Sequence, residues 1–448
     1  MSQPTTADIG AGISGLTTSK MLSDYGLPFT TFEVSDRIGG NWAFGNPNGH
    51  GSYRSLHIDT SKYLLSFRDF PMPTEYPDFP HHSLIKDYLD NYAEAFGLRE
   101  HIEFENGIEH AHRLDGGGWE LRTQSGETRR FDFLVVGNGH HWDVRYPTFP
   151  GEFTGQTIHS HHYVDPQGPL DLTGQRILVV GIGNSAADIT VELSSRTLGN
   201  TVVLSTRSSA WIVPKYRAGV PADKNFRTSP YIPYKWQRKL AQIAASRAIG
   251  RPELLGLPPP YHKFFEAHPT QSVKLPLRFG SGDASAKPNI TLLDGKTVHF
   301  EDGTQAEFDV LVYATGYNIT FPFLDEDFIS APDNHIRLYK RMFRPGIDDL
   351  AFVGFAQSTP TLFPFIECQA RLVAACVAGR YRLPSLDTME RVIDEEQQKY
   401  TGHMLPTARH TQQVDYFRYE HDMRTKELPA GLRRATAHGA PALAGRAS

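Results

Sequence analysis

The sequence predicts an α/β protein built on two dinucleotide-binding units of the Rossmann type. Residues 10–15 and residues 181–186 both match the pattern G-x-G-x-x-G/A, which turns a chain from a buried strand into a helix. The glycines let backbone N–H groups approach a pyrophosphate, and the N-terminus of the following helix favours its negative charge. One such match is weak evidence, whereas two matches in one chain favour a pair of nucleotide-binding units.

Length, charge and cysteine content narrow the class of protein. The 448 residues are enough for two or three domains, and the net charge of −5 gives no reason to expect nucleic acid or an anionic membrane as a partner. Cys368 and Cys376 form no C-x-x-C pair, which argues against a disulfide-reductase site and for a reducing compartment. Without a signal peptide or an apolar run of about 18 residues, we expect a soluble cytoplasmic protein with no membrane anchor.

The first loop and the strand after it favour FAD. Glu33 ends that strand at the distance from the loop at which a ribose-binding acid is expected. Its carboxylate can accept hydrogen bonds from ribose hydroxyls and would repel a 2′-phosphate. The residues assigned to FAD here are Gly10, Ala11, Gly12, Ile13, Ser14, Gly15 and Glu33. The strand before the loop contains Asp8, which would be costly to bury without a partner.

The second loop follows the apolar residues 177–180 and favours NADPH. Arg207 stands after the next strand, in the place where the first unit has its acid. A guanidinium there can hold a 2′-phosphate by charge-assisted hydrogen bonds, which indicates NADPH rather than NADH. The residues assigned to NADPH are Gly181, Gly183, Asn184, Ser185, Ala186, Asp188, Ser205 and Arg207.

Three further motifs carry a resemblance to a known family. They are Phe153-x-Gly155-x-x-x-His159-x-x-x-Tyr163, Gly39-Gly40-Asn41-Trp42 and Ala314-Thr315-Gly316-Tyr317. Together with the two loops, the chain resembles the flavin-containing monooxygenases (class B flavoprotein monooxygenases) of the soluble bacterial type. The resemblance implies that an NADPH domain, residues 161–317, is inserted into an FAD domain formed by residues 1–160 and 318–448. Residues 212–287 would be a long proline-rich insertion within the NADPH domain.

The segment from Tyr53 to Lys62 looks like the family's stretch with Thr-Asn-x-Ser-Lys, whose Asn amide lies near the reactive edge of the flavin. This chain has Asp59 at that position, and an ionised carboxylate cannot donate a hydrogen bond as an amide can. Asp59 is therefore the candidate catalytic residue, and burial that raises its pKa is one hypothesis for how it could donate. The resemblance further assigns to FAD the residues Gly40, Asn41, Trp42, Asp59, Thr60, Gln357 and Thr361.

The resemblance also implies a reaction. NADPH reduces FAD, O2 adds at flavin C4a, and the hydroperoxyflavin oxygenates a soft nucleophile such as an amine nitrogen, a sulfide or an indole-type substrate. Baeyer–Villiger oxidation of ketones is the nearest alternative. Tyr163 and Val164 speak against it, because those relatives usually carry Trp and then Pro or Asp, while Asp59 leaves it open. A flavoprotein reductase without oxygen transfer and a non-catalytic nucleotide sensor are alternatives of other classes.

The insertion allows two interpretations, since it can cover the active-site cleft or pack as an excursion without contact to ligand. A helical pattern over about 234–249 places Trp236, Leu240 and Ile243 at helical spacing, and we expect this face to pack in a core rather than on a membrane. We expect no metal site at His159, His161 and His162, because neighbours on a strand alternate faces. The expected partners are a small-molecule substrate, O2 and a second copy of the chain in a homodimer.

Overall fold

Two five-stranded parallel sheets organise the chain in the computed structural model. The structure describes residues 3–46, 51–229, 231–233, 235–237, 239–240, 243, 252–264 and 266–438. The strands of the first sheet are, in spatial order, Leu350–Phe352, Phe133–Val136, Thr6–Ile9, Phe29–Phe32 and Ile102–Glu103. The strands of the second sheet are, in spatial order, Gln156–His159, Val310–Tyr313, Arg176–Val180, Thr201–Ser205 and Ala284–Lys287.

The second sheet is nested within the first along the chain. All of its strands fall between Phe133–Val136 and Leu350–Phe352, which are neighbours in the first sheet. The predicted α/β class with two nucleotide-binding units is confirmed by this pair of parallel sheets. Ala284–Lys287 comes from the end of the predicted insertion and forms an edge strand of the second sheet.

Each loop leads directly from the centre of a sheet into a helix. The first loop helix is Ile13–Asp24 and the second loop helix is Asn184–Leu193. The other α-helices of the described chain are Lys62–Leu65, His82–Ala95, Lys274–Gly280, Phe363–Val377, Leu386–Thr401, Tyr416–Asp422 and Leu428–Ala437, with a π-helical turn at Met423–Glu427. Short 3-10 turns lie at Gly40–Trp42, Arg99–His101, Arg196–Leu198, Pro252–Leu255 and Pro332–Asn334.

Smaller sheets flank the two parallel ones. One is a meander of Ile108–Arg113, Trp119–Thr123 and Thr128–Phe131. Another joins Gly151–Phe153, Ile290–Gly295, Thr297–Phe300 and Gln305–Glu307. Strand pairs join Ile212–Val213 with Thr270–Gln271, Tyr216–Arg217 with Val220–Pro221, Asp143–Val144 with Tyr317–Asn318, and Gln357–Thr359 with Gln413–Asp415.

Helix Phe363–Val377 packs against the first loop helix in the main apolar core. Met21 and Leu22 of the loop helix and Phe365 and Val373 of the other helix are buried in the same cluster. Burying each such side chain contributes about 1.5–3 kcal/mol, so this contact fixes the C-terminal part of the chain to the first loop.

Asp8 is buried in the central strand of the first sheet, where the sequence predicts that an acid without a partner would be costly. Its side chain is 0% exposed, and Ser19 Oγ of the first loop helix donates to its Oδ2 at 3.4 Å. Burial raises the pKa of Asp8 well above its ordinary value, which favours the neutral carboxyl. Within the described residues, the strand therefore holds Asp8 by one hydrogen bond and not by an ion pair.

The apolar face of the insertion is not in a core. Trp236, Leu240 and Ile243 are helical and 59%, 69% and 44% exposed, so the expectation that they pack inside is wrong. The rest of the predicted helix over 234–249 lies largely outside the described residues. No helix in the described part of the chain is long and apolar enough to cross a bilayer.

Candidate active site

The first loop closes too tightly for a side chain at Gly15. A Cβ added to Gly15 would lie 1.7 Å from the carbonyl oxygen of Gly10. A Cβ added to Gly12 would lie 3.6 Å from the Cα of Gly40, so the loop and the segment after the second strand meet backbone to backbone. Ile13 and Ser14 begin the helix that follows. The loop thus presents bare backbone N–H groups at a helix N-terminus, which suits a pyrophosphate.

Glu33 is fixed against this loop. Its Oε2 accepts a hydrogen bond from the backbone N–H of Ala11 at 2.6 Å, and its Oε1 accepts from the N–H and the hydroxyl of Ser35 at 2.9 and 2.7 Å. The carboxylate is only 5% exposed. An acceptor held in this way beside the loop has the chemistry needed to bind ribose hydroxyls, as the sequence predicts for Glu33.

The Gly40–Trp42 turn lies over the first loop. Asn41 Oδ1 accepts from the backbone N–H of Gly51 at 2.8 Å, which ties the turn to the next segment of chain. Trp42 is half-buried and packs against a cluster that includes Ala11. Trp42, which the resemblance assigns to FAD, therefore stands beside the first loop.

The second loop has the same construction. Gly181 has φ +135°, and a Cβ on it would lie 2.4 Å from the carbonyl oxygen of Ala314. Gly183 is the N-cap of the second loop helix, Asn184 and Ser185 form its first turn, and Ala186 is fully buried. This loop also has bare backbone at a helix N-terminus, with no acidic side chain in the first turn.

Asp59 meets the second loop. Asn184 Nδ2 donates to Asp59 Oδ2 at 2.6 Å, and the same amide's Oδ1 accepts from the backbone N–H of Gln271 at 2.9 Å. Lys215 Nζ, from the insertion, lies 3.1 Å from Asp59 Oδ1 and donates to the carbonyl oxygen of Ile58 at 2.9 Å. Burial raises the pKa of Asp59, while Lys215 and Asn184 oppose that rise. One carboxylate thus joins the flavin-side segment, the second loop and the insertion.

Asp188 and Glu192 extend this junction along the second loop helix. Asp188 Oδ2 accepts a hydrogen bond from the hydroxyl of Tyr53, and Glu192 Oε2 accepts from Tyr163 Oη at 2.9 Å and from Ser55 Oγ at 3.0 Å. Burial, followed by the nearby charge of Asp59, raises the pKa of Asp188 to about 6. Through the hydrogen bond to its Oδ2, Asp188 therefore holds residues 53–59 against the second loop helix.

The residues assigned near the flavin ring converge from two directions. Thr60 Oγ1 donates to the carbonyl oxygen of Pro360 at 2.9 Å, and Thr361 Oγ1 donates to that of Leu64 at 2.6 Å. The side-chain oxygens of Ser61 and Gln357 are buried and have no hydrogen-bond partner within the described residues. A buried acceptor without a partner is costly, so these two groups fit a polar ligand between the segments.

Arg207 and Ser205 occupy the end of strand Thr201–Ser205. Arg207 is exposed and forms no ion pair with any described residue. Ser205 is 1% exposed, and its hydroxyl donates to the carbonyl oxygen of Pro288 at 2.7 Å. The guanidinium is thus available to a ligand, whereas the Ser205 hydroxyl is already used within the protein.

Two other kinds of site receive no support. Within the described ranges, no cluster of three or more His, Cys, Asp or Glu side chains is arranged to hold a metal ion. Cys368 and Cys376 are free thiols on helix Phe363–Val377.

Sequence reasoning missed Lys215 and Arg409. Lys215 lies in the proline-rich insertion and Arg409 in the C-terminal segment, each far along the chain from the loop that it approaches. Neither residue belongs to a motif. If Asp59 is buried, the sequence predicts that a cation lies near it. The sequence does not tell which lysine or arginine supplies that cation.

Comparison with known proteins agrees with this geometry. The family model described as flavin-binding monooxygenase-like matches residues 4–428. Human flavin-containing monooxygenase 5 is 36% identical over 440 residues, which cover 93% of this chain and 81% of the human protein. Rat dimethylaniline monooxygenase [N-oxide-forming] 2 is 38% identical over 416 residues, covering 88% of this chain and 77% of the rat protein.

Solved structures share the fold. The S-allyl-L-cysteine S-oxygenase of Allium sativum superposes with a TM-score of 0.70 at 22% identity, covering 97% of this chain and 92% of that one. A cyclohexanone monooxygenase bound to ε-caprolactone superposes with a TM-score of 0.72 at 20% identity, covering 96% and 98%. At these identities the likeness establishes the two-domain fold and does not distinguish between substrates.

Proposed function

This chain belongs to the flavin-containing monooxygenase family, whose members use FAD and NADPH, and from this premise we propose that it oxygenates soft nucleophiles. Its substrates are amines, sulfides or indole-type compounds, which receive one oxygen atom of O2 on nitrogen, sulfur or carbon. The observation that carries the proposal is the hydrogen bond from Asn184 of the second loop to Asp59, the residue that the resemblance places near the reactive edge of the flavin. When bound, FAD and NADPH supply hydride transfer and the activation of O2.

The FAD ligands that we propose are the residues around the first loop and the segments facing it. They are Gly10, Ala11, Gly12, Ile13, Ser14, Gly15, Glu33, Gly40, Asn41, Trp42, Asp59, Thr60, Gln357 and Thr361. The unpartnered oxygen of Gln357 and the bare first loop support this set. For Thr361, whose hydroxyl bonds Leu64, we propose a contact through the backbone.

For NADPH we propose Gly181, Gly183, Asn184, Ser185, Ala186, Asp188, Ser205 and Arg207. Arg207 recognises the 2′-phosphate, which its exposure and lack of an acidic partner support. Ser205 supports the strand end from which Arg207 extends, since its hydroxyl is bonded to Pro288.

Asp59 is the residue of the chain that we propose for catalysis. The carboxylate of Asp59 accepts a hydrogen bond from the Asn184 amide nitrogen, and the backbone N–H of Gln271 donates to the Asn184 amide oxygen. The Asn184 side chain is therefore held at both ends. Lys215 supplies a cation at 3.1 Å, which favours the carboxylate form of Asp59. The groups that would bracket a nicotinamide are in this way fixed before any ligand enters.

Oxygenation of nitrogen or sulfur is favoured over Baeyer–Villiger oxidation by the relatives above 30% identity, one of which is named as N-oxide-forming. The test is product analysis with isotopically labelled O2, NADPH and three substrates: a tertiary amine, a thioether and a cyclic ketone. We expect one labelled oxygen in the N-oxide and the sulfoxide. A labelled lactone as the main product would favour the Baeyer–Villiger reaction, and H2O2 without labelled product would indicate a reductase.

The organisation of the protein is also a proposal. We place the FAD domain at residues 1–155 and 318–448 and the NADPH domain at residues 156–317. The first boundary is thus five residues earlier than the one that the sequence predicts, because Gln156–His159 pairs in the second sheet. We propose a cytoplasmic homodimer, supported by the exposed apolar side chains of Tyr231, Trp236 and Leu240. Light scattering coupled to size-exclusion chromatography would measure its mass.

A further inference from the structure

Arg409 reaches the second loop from the C-terminal segment. Its Nη1 lies 3.5 Å from the position that a Cβ on Gly183 would take, so the guanidinium stands directly beside the N-cap of the second loop helix. The segment that carries it is anchored to the insertion, because His268 N donates to His410 Nε2 at 3.2 Å and Leu405 N donates to the carbonyl oxygen of Glu266 at 2.8 Å.

The imidazoles around the guanidinium do not share its charge. The side chains of Arg409 and His141 are exposed to solvent, and the surrounding protein still lowers the pKa of both groups by desolvation. The charge of Arg409 further lowers the pKa of His141, His268 and His410, and those values are about 3, 3 and 4. These imidazoles are therefore neutral near pH 7 and leave Arg409 as the cation beside the second loop.

Among the described residues, this cation has no counter-charge, since none of their carboxylates forms an ion pair with Arg409. It also stands at the positive end of a ten-residue helix without acidic residues in its first turn. A cation placed against a positive helix end is unfavourable by itself, and an anion between the two would satisfy both.

We propose that Arg409 binds the pyrophosphate of NADPH from the side opposite the second loop. The C-terminal segment then acts as a clasp, with the loop amides on one face of the diphosphate and the guanidinium on the other. This inference rests on the proposed assignment of the second loop to NADPH. It gives Arg409 and Arg207 separate tasks: Arg409 binds a group common to NADP⁺ and NAD⁺, and Arg207 binds the 2′-phosphate that only NADP⁺ carries.

The test is equilibrium binding of NADP⁺ and of NAD⁺ to the FAD-loaded protein, followed without turnover. Loss of a charge-assisted contact should weaken binding by about 10- to 100-fold. We expect Arg409→Ala to weaken both nucleotides by similar factors and Arg207→Ala to weaken NADP⁺ alone. Arg409→Lys should retain part of the affinity. Arg424→Ala, at an exposed arginine on the π-helical turn, is the matched control and should bind as wild type does.

Three results would overturn the inference. If Arg409→Ala bound NADP⁺ and NAD⁺ as tightly as wild type does, Arg409 would not contact the pyrophosphate. Arg409→Ala that weakens NADP⁺ alone would place the guanidinium at the 2′-phosphate instead. Failure of the wild-type holoprotein to bind either nucleotide would overturn the assignment of the second loop, and the inference with it. FAD content and the unfolding midpoint establish that each variant is folded, and Arg409→Gln carries the same test if Arg409→Ala loses FAD.

Discussion

Lys215 Nζ lies 3.1 Å from Asp59 Oδ1, so a lysine of the proline-rich insertion compensates the charge of this half-buried acid. The insertion therefore contacts the candidate active site. Asp223 of the same insertion supports this, because its Oδ2 accepts from the backbone N–H of Ser61 at 2.7 Å. Of the two interpretations of residues 212–287, contact with the site is the one that these bonds favour.

Removing the lysine should change the pH dependence of the enzyme. An opposite charge within about 4–6 Å lowers the pKa of a carboxyl by about 1–3 pH units. In Lys215→Met that effect on Asp59 is lost, so its pKa rises and the acidic limb of the pH profile for NADPH oxidation moves upward. Stopped-flow or steady-state rates between pH 5 and 9 measure this. Lys263→Met, at an exposed lysine of the insertion, is the control, and an unmoved profile in Lys215→Met would separate Lys215 from the chemistry.

Replacing Asp59 by asparagine should increase the share of NADPH that is consumed without oxygenated product. Asp59→Asn leaves the half-buried Lys215 without its counter-charge, so we expect more H2O2 released per NADPH consumed than in wild type. The double variant Asp59→Asn/Lys215→Met should release less H2O2 than the sum of the two single effects, since the residues are in contact. Equal H2O2 release in wild type and Asp59→Asn would remove Asp59 from the chemistry.

Glu33→Gln should weaken FAD binding. The variant has no negative charge at the site where the oxygens of Glu33 accept hydrogen bonds from Ala11 and Ser35. The same site is where we expect the ribose hydroxyls of FAD. Hydrogen bonds to a charged group contribute about 1.5–3 kcal/mol, so the Kd for FAD should rise roughly 10- to 100-fold. Flavin fluorescence during titration of the deflavinated protein measures this. Glu105→Gln, at an exposed glutamate nearby, should leave the Kd unchanged, and an unchanged Kd in Glu33→Gln would rule out the ribose contact.

Asp188 should make stability depend on pH. Its pKa is about 6 in the folded protein against an ordinary 3.8, so the folded state holds its proton more tightly than the unfolded chain does. Stability from this group is therefore greatest below about pH 4 and falls as the pH rises to about 6, by at most about 1.4 kcal/mol per pH unit. Asp188→Asn should lose less stability than wild type over this interval in thermal unfolding of the holoprotein. Parallel curves for the two proteins would contradict the raised pKa.

The strand–loop–helix units could be predicted from the sequence because their signals are local. Gly15 and Gly181 are required by contacts within a few residues or with the adjoining strand, so the pattern alone locates both loops. The tyrosine at the end of the central fingerprint, Tyr163, likewise bonds a residue of the helix that soon follows, Glu192. The neighbourhoods of Lys215 and Arg409 could not be predicted, since they depend on how long connections return to the loops. The prediction that Trp236 packs in a core was wrong for a similar reason. Helical spacing identifies an apolar helix face but does not tell whether another element covers it.

The central claim is that the second loop, held to the segment 53–62 by the Asn184–Asp59 hydrogen bond, presents NADPH to a flavin bound at the first loop. Its most direct test is the visible absorbance of the FAD-loaded protein when one equivalent of NADPH is added without oxygen. We expect the flavin absorbance to bleach, and to bleach far more slowly with NADH at the same concentration. A protein that binds FAD and NADPH but keeps its full flavin absorbance would contradict the claim.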